Sequence, residues 1–149
     1  MASPAFSIDM GHATTTTQTC KSAYAATVTA RRLAPLLIAL RRGYCQAVFE
    51  DLARSSPEEL AEIIRENHAP DTRLTFAAEI LGRDVDTPAV AAMLKEIILT
   101  HPSPLVREGA VLGLSHHLQR IGVQTTLHRA AANDPSPGVR RAAAEALEG

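Results

Sequence analysis

Apolar side chains recur every three or four residues along most of this chain, which is the spacing of helices that bury one face. Tyr44, Val48, Phe49 and Leu52 follow this spacing and predict a helix over residues 44–54. The pattern predicts further helices on the C-terminal side of this segment. The chain is therefore expected to fold as a succession of packed helices.

The next helix has a recognisable start at Ser56-Pro57-Glu58-Glu59. Ser56 can cap the free N–H groups, Pro57 suits the first helical position and Glu59 completes a capping box. The helix is predicted to end near Asn67.

The N-terminal part is less regular. Residues 1–20 are rich in threonine and serine without helical spacing, so a flexible tail is expected there. A helix is predicted over residues 22–34. Pro35 then either kinks this segment or begins a new helix that runs to Arg42 and stops at Gly43.

One phrase occurs twice, 33 residues apart. Residues 102–110 read Pro-Ser-Pro-Leu-Val-Arg-Glu-Gly-Ala, and residues 135–143 read Pro-Ser-Pro-Gly-Val-Arg-Arg-Ala-Ala. A period of this size is typical of stacked helical hairpins. Apolar residues outside the phrase keep the same register: Ala77, Ala110 and Ala143; Leu81, Leu114 and Leu147; Val90 with Val123; and Leu94 with Leu127.

Each repeat is predicted to contain two helices joined by a turn with proline. Thr87-Pro88, Ser103-Pro104 and Ser136-Pro137 are pairs of a capping residue and a first-turn proline. The predicted helix pairs are 57–67 with 72–82, 88–100 with 104–120, and 123–133 with 137–147.

Residues 133–147, Asn-Asp-Pro-Ser-Pro-Gly-Val-Arg-Arg-Ala-Ala-Ala-Glu-Ala-Leu, resemble the turn and second helix of a HEAT repeat. They are most similar to the short bacterial type named after phycobilisome lyases. Residues 77–82, followed by 87–94, look like the end of one such repeat and the start of the next. The resemblance covers residues 57–149 well and residues 22–54 by analogy.

The resemblance implies an all-α fold, a short right-handed superhelix of stacked hairpins. Residues 21–149 would form one such domain, with irregular helices over 22–54 and repeats over about 57–82, 88–120 and 123–149. The second helix of each repeat would line the concave side. Such a fold usually carries a binding surface, and it does not by itself specify a function.

This chain departs from the repeat pattern at three places. His101 stands where Asp134 does, and Leu74 stands where Arg107 and Arg140 do. Any ladder of aspartate–arginine pairs along the turns is therefore incomplete. Residues 115–120, Ser-His-His-Leu-Gln-Arg, also break the usual glycine-rich exit, so the stack is expected to be irregular. Leu74, His101, His116, His117 and the N-terminal helices are the places where function is expected to differ from a plain repeat.

Composition narrows the possible partners. Of the 149 residues 46% are apolar but only 3% are aromatic, and tryptophan is absent. The formal net charge is −1, and neither half has the basic excess of nucleic-acid-binding proteins. Cys20 and Cys45 have no metal or redox spacing, and no signal peptide is recognisable, so a cytoplasmic protein with reduced thiols is expected.

Residues 31–42 are apolar with paired arginines at both ends. They could contact a membrane surface or an acidic partner, or they could form a buried core helix whose ends reach water. The buried helix is the favoured interpretation. The apolar run, Leu33 to Leu40, is too short to span a bilayer, and no stable membrane insertion is expected.

No catalytic, cofactor-binding or metal site is predicted, and the protein is not expected to be an enzyme. Ser115 and His116 are helix neighbours that face apart, and no glycine-rich phosphate loop exists. His116 and His117 point about 100° apart on a helix and cannot easily share a metal. His68 and His101 would lie side by side along the stack, each near a helix C-terminus, where a protonated histidine is favourable.

The motif arginines and the turn aspartate are given structural roles. Arg107 and Arg140 are interpreted as side chains that tie one turn to the next by hydrogen bonding, with anion binding as the alternative. Asp134 is interpreted as a turn and capping residue rather than an acid catalyst.

The predicted function is a non-enzymatic scaffold that binds another protein or peptide segment on its concave face, without nucleic acid. The alternative is a subunit of a lyase-like or protein-modifying complex. A homodimer through a terminal helix is a further expectation, because Val139, Ala142 and Ala146 would leave a small apolar edge. The residues predicted to bind the partner are Glu79, Glu108, Leu112, Ser115, His116, Arg141 and Glu145.

Overall fold

The computed structural model describes residues 39–149 of this protein. By compactness the chain divides into two units, Met1–Gly43 and Tyr44–Gly149. The flexible tail, the helix over 22–34 and the effect of Pro35 are predictions that lie outside the described residues.

Helical structure runs without a break through residues 39–52, here called α1. The predicted helix end at Gly43 is therefore wrong. A glycine ends a helix when it adopts a left-handed conformation, and among the described glycines only Gly122 has a positive φ. The prediction of a helix over residues 44–54 is confirmed up to Leu52.

The second unit continues as three helical hairpins, and the described residues contain no strand. In each hairpin two helices are joined by a short turn. The three pairs are α2 (Pro57–Glu66) with α3 (Asp71–Asp84), α4 (Pro88–Thr100) with α5 (Pro104–Leu114), and α6 (Val123–Asn133) with α7 (Pro137–Glu148).

The helix starts lie at the predicted residues except that of α3, which begins at Asp71, one residue early, and two of the predicted caps form. Ser56 accepts a hydrogen bond from the backbone N–H of Glu59, whose carboxylate accepts one from the backbone N–H of Ser56. This reciprocal pair is the predicted capping box. Thr87 caps α4 by accepting from the backbone N–H of Val90.

The predicted caps at Ser103 and Ser136 are wrong, because neither side chain makes a capping hydrogen bond in the described part of the chain. In both turns it is the backbone N–H of the serine that makes a hydrogen bond instead. The N–H of Ser103 donates to Nδ1 of His101 at 3.2 Å, and the N–H of Ser136 donates to Oδ1 of Asp134 at 2.8 Å. Each turn is thus closed by the side chain two residues before the serine.

The second helix of the middle hairpin is shorter than predicted. It ends at Leu114 and tightens into a 3₁₀ turn over Ser115–His117, instead of continuing to residue 120. The hydroxyl of Ser115 donates to the carbonyl of Leu112 at 2.7 Å. A 3₁₀ turn is a common way to end a helix, and here it directs one histidine inwards.

The core follows the predicted 33-residue register. α3 packs against α5 and α5 against α7, while α4 packs against α6. α1 packs on α3, where the rings of Phe49 and Phe76 meet edge to face with centroids 5.5 Å apart. Of the register residues, Leu147 is half-buried and the following are buried: Ala77, Ala110, Ala143, Leu81, Leu114, Val90, Val123, Leu94 and Leu127.

Among residues 39–149, no helix has both the length and the apolar character needed to cross a bilayer.

Candidate functional site

A buried ion pair joins the second and third hairpins, and this contact region is called the second junction. Arg107, in α5, donates from Nε and Nη2 to the two carboxylate oxygens of Asp134, at 2.9 and 2.8 Å. Its Nη1 donates to the carbonyls of His101 and Pro102, at 2.9 and 3.0 Å. The guanidinium therefore binds its own turn through one nitrogen and the next turn through the other two.

This geometry agrees with the structural role that the sequence indicates for Arg107. Both charged side chains are buried, and a planar guanidinium matches a carboxylate through two parallel hydrogen bonds. Burial alone would raise the pKa of Asp134. The hydrogen bonds from Arg107 and from the Ser136 N–H, together with the charges of Arg107 and Arg140, outweigh it and hold the pKa below its ordinary value.

The contact region between the first and second hairpins, called the first junction, lacks this ion pair. Leu74 replaces the arginine and is buried in the core. His101 replaces the aspartate and keeps its turn-closing contact through Nδ1, which accepts from Ser103. Its Nε2 then carries the hydrogen and donates to Oδ1 of Asn67, 3.0 Å away in the preceding turn. His101 thus contacts the preceding turn through Asn67.

At the opposite end of the helices, the first junction is held by His117. Its ring is buried between two acceptors, the carbonyl of Gly82 at 2.9 Å from Nε2 and the carboxylate of Asp86 at 3.1 Å from Nδ1. Arg120 donates from Nε to the same carboxylate at 2.8 Å and from Nη2 to the Asp86 carbonyl at 2.9 Å.

The cluster formed by Asp86, His117 and Arg120 was not predicted from the sequence. The hydrogen bond from Arg120 lowers the pKa of Asp86 below its ordinary value, and its charge and the contact with His117 act in the same direction. The residue 33 positions after Asp86 is Gln119, so no repeated signal marks the carboxylate. The prediction that His116 and His117 face apart is confirmed, since His116 is exposed.

The first junction also brings two helix backbones unusually close. A Cβ added to Gly82 of α3 would lie 2.5 Å from backbone atoms of Gly113 in α5. A Cβ added to Gly109 would lie 2.5 Å from the carbonyl oxygen of Thr75. Only glycine permits this approach, so small size rather than charge holds α3 against α5.

The seven residues predicted to bind a partner are distributed over α3, α5, the 3₁₀ turn and α7. Leu112, His116, Arg141 and Glu145 are exposed, whereas Glu79, Glu108 and Ser115 are half-buried. α5 also presents Leu105, 42% exposed, which was missed because it lies within the repeated phrase. Leu112, seven residues later on the same face, is 40% exposed.

Some of these residues are neighbours in space. Burial raises the pKa of Glu79 above its ordinary value, although the charges of Arg83 and His116 act in the opposite direction. The carboxylate of Glu108, in α5, lies against the start of α7, where a Cβ on Gly138 would be 3.1 Å from its Oε2. Within α7, Nε of Arg141 and Oε1 of Glu145 are 4.0 Å apart.

The side chains predicted to form an exposed apolar edge for self-association are not exposed, so this prediction is wrong. Val139 and Ala142 are buried, and Ala146 is half-buried, because their side of α7 packs on α5 and α6. The outer side of α7 carries Arg141 and Glu145 instead.

Two shallow grooves lie between successive first helices rather than on the predicted face. The groove between α2 and α4 has Ile64 and Met93 in its walls and His101 at one end. The groove between α4 and α6 has Ile98, Leu99 and Ala130 in its walls and Asp134 at one end. Within the described part of the chain, no three His, Cys, Asp or Glu side chains are grouped to hold a metal ion.

A family model described as HEAT repeats matches residues 57–148 of the chain. No curated protein and no solved structure matches this chain. The matched region contains all three hairpins and both junctions, and it comprises more than half of the 149 residues. The stacked hairpins and the family match lead to the same conclusion: this chain belongs to the HEAT repeat family.

Proposed function

We propose that this protein is a non-enzymatic binding module that holds a partner protein on the outward faces of α3, α5 and α7. The observation that carries the proposal is the pair of exposed leucines on α5. Leu105 and Leu112 lie two turns apart on one helix face, 42% and 40% exposed. Apolar anchors of this kind are suited to the apolar side chains of a partner segment.

The charges around these leucines support a protein partner. Glu108 lies on α5 between the two leucines, and the helices packed on α5 carry Glu79 (α3) and Arg141 and Glu145 (α7). Both signs are present within a short distance. A surface of mixed charge with apolar anchors suits a polypeptide better than a polyanion.

HEAT repeats commonly mediate protein–protein interaction. The family resemblance also assigns the face formed by α3, α5 and α7 to the concave side of the stack. Cytoplasmic location is part of the proposal, and it rests on the low cysteine content of the chain. The alternative, a subunit of a lyase-like or protein-modifying complex, would use the same face.

The test is affinity purification from the source cell with three baits: the wild-type chain, Leu112→Asp and Leu99→Asp. Leu99 is the matched control, because it is 49% exposed on the first-helix side. We expect Leu112→Asp to reduce the recovery of the partner at least about tenfold, since a charge cannot enter an apolar contact. Leu99→Asp should recover the partner as the wild type does.

Circular dichroism of the three baits checks that each variant is folded. Equal recovery of one partner by Leu112→Asp and the wild type would show that the face is assigned wrongly. Recovery of a protein-modifying enzyme as the partner would favour the alternative function.

A further inference from the structure

The two motif arginines are held in the same way by their own turns. Nη1 of Arg107 donates to the carbonyls six and five residues before it, at 2.9 and 3.0 Å. Nη1 of Arg140 does the same, to the carbonyls of Asp134 and Pro135 at 2.7 and 3.2 Å. Each guanidinium is thus fixed at one nitrogen by an identical register.

The two arginines differ in what their other nitrogens bind. Nε and Nη2 of Arg107 bind the carboxylate of Asp134. In the described part of the chain, the hydrogen bonds of the Arg140 side chain are the two made by Nη1. Its Nε and Nη2 therefore present a pair of donors with no acceptor among residues 39–149, and Arg140 is half-buried rather than buried.

We propose that Arg140 is a docking site for a carboxylate of a partner protein, on an aspartate that closes a turn before a helix. The chemistry of the occupant follows from the second junction. There the carboxylate binds the arginine with both oxygens while one of them accepts the N–H two residues later, at Ser136. A pre-ordered guanidinium favours a carboxylate with this geometry because little further ordering is needed.

A second copy of this chain is not the expected occupant. The positions of the first and second repeats that align with Asp134 are His68 and His101. Neither supplies a carboxylate, so copies stacked in the repeat register would bring an imidazole to Arg140. The site is therefore matched to an acidic turn of a partner protein rather than to a stacked copy of this chain.

The experiment is an NMR titration of the full chain that follows the ¹H–¹⁵N signals of the arginine Nε groups. The probe is the capped tetrapeptide Asp-Pro-Ser-Pro, which has the sequence of residues 134–137, and the control peptide is Asn-Pro-Ser-Pro. We expect a saturable shift of the Arg140 signal, with an affinity for the aspartate peptide at least about fivefold higher than for the asparagine peptide.

Three comparisons make the titration specific. The signal of Arg107 should not move, because its two donors are occupied by Asp134. Arg140→Lys keeps the charge without the paired donors, and it should reduce the affinity to that of the asparagine peptide. Leu112→Asp should titrate as the wild type does, so failure of this site and failure of the proposed binding face can be told apart.

Equal affinity for the two peptides would overturn the proposal. So would shifts of the exposed Arg129 and Arg141 as large as that of Arg140, which would show a general attraction of anions to surface charge. Absence of a shift at Arg140 up to the solubility limit of the aspartate peptide would also overturn it.

Discussion

At the second junction, Arg107 joins its own turn to Asp134 of the next hairpin, and both charges are buried. At the first junction, the aligned positions hold Leu74 and His101, and the two turns are joined by a neutral hydrogen bond to Asn67. The first junction has its charged cluster elsewhere, where His117 reaches the end of α3.

The comparison shows that equivalent junctions of the same repeat can be stabilised by different interactions. A buried ion pair stabilises only while both partners are present, since either charge alone is costly in the interior. Packing of Leu74 and the close glycine backbones distributes the stabilisation of the first junction over many contacts. The second junction is therefore expected to be more sensitive to the loss of a single polar side chain.

The largest expected effect is that of Asp134→Ala, which leaves Arg107 charged and buried without its carboxylate. The free energy of unfolding should fall by about 3–5 kcal/mol, the usual result of removing one partner of a buried pair. Urea denaturation followed by circular dichroism measures this loss. If Asp134→Ala does not fold, Asp134→Asn provides the milder variant, and it too should be clearly less stable than the wild type.

A double variant sharpens the comparison by transplanting the residues of the first junction into the second. Arg107→Leu with Asp134→His reproduces the pair formed by Leu74 and His101. It should recover more than half of the stability lost in Asp134→Ala, because the buried guanidinium is removed together with its carboxylate. A double variant as unstable as the single one would show that the two junctions are not interchangeable.

The next effect concerns the close helices of the first junction. Gly82→Ala would place a methyl group against the backbone of Gly113, and the helices would have to separate. We expect a loss of about 2–3 kcal/mol in the free energy of unfolding. Gly43→Ala is the matched control, since nothing lies within 4 Å of its Cβ position and it lies in α1, and it should stabilise by about 0.5–1 kcal/mol. Equal losses in both variants would contradict the close approach.

His117→Leu tests the polar contact of the first junction. The variant keeps an apolar volume but leaves the carbonyl of Gly82, in the last turn of α3, without its donor. The expected loss is about 1–3 kcal/mol in the free energy of unfolding. His116→Leu, on the exposed neighbour, should change stability by less than about 0.5 kcal/mol. A similar small change in both would show that the hydrogen bond to Gly82 contributes little.

The smallest expected effect is a dependence on acid pH that belongs to the second junction. Because the pKa of Asp134 is lower in the folded protein than in the unfolded chain, the folded state is favoured while the carboxylate is ionised. This stabilisation is complete above the unfolded pKa, about 4, and is lost as the pH falls through the lower folded pKa.

Urea midpoints measured between pH 5 and pH 3, as an order-of-magnitude window around the carboxylate pKa, test this dependence. The control is Arg107→Leu with Asp134→His, which has no carboxylate at this position. The wild type should lose stability across this window more steeply than the control does. Parallel pH profiles for the two proteins would show that Asp134 does not contribute to the acid sensitivity.

Much of the fold could be predicted from the sequence because its signals are local. Ser56 and Thr87 cap helices through groups within three residues of them, and each helix start with proline lies where it was predicted. The 33-residue register identified Ala77 and its equivalents as core. The tie made by Arg107 was also predicted, since the same phrase repeats with its arginine.

Less of the candidate site could be predicted. The residues on α3, α5 and α7 were placed on these helices from the register, but their binding of a partner stays a prediction. Leu105 was missed because repetition marks a position as structural without showing how much of its side chain is exposed. The apolar edge on α7 was predicted wrongly, because helical spacing alone does not say which side packs on a neighbour.

The sequence by itself determined the helix starts, the repeat register and the residues that form the core, because each depends on spacing along one helix. Only the tertiary structure decided how the junctions are held. Asp86 and His117 are 31 residues apart, and Gly82 and Gly113 approach closely without any sequence pattern that marks the contact. Such contacts depend on the distance between helices packed side by side, which is set by all the side chains between them.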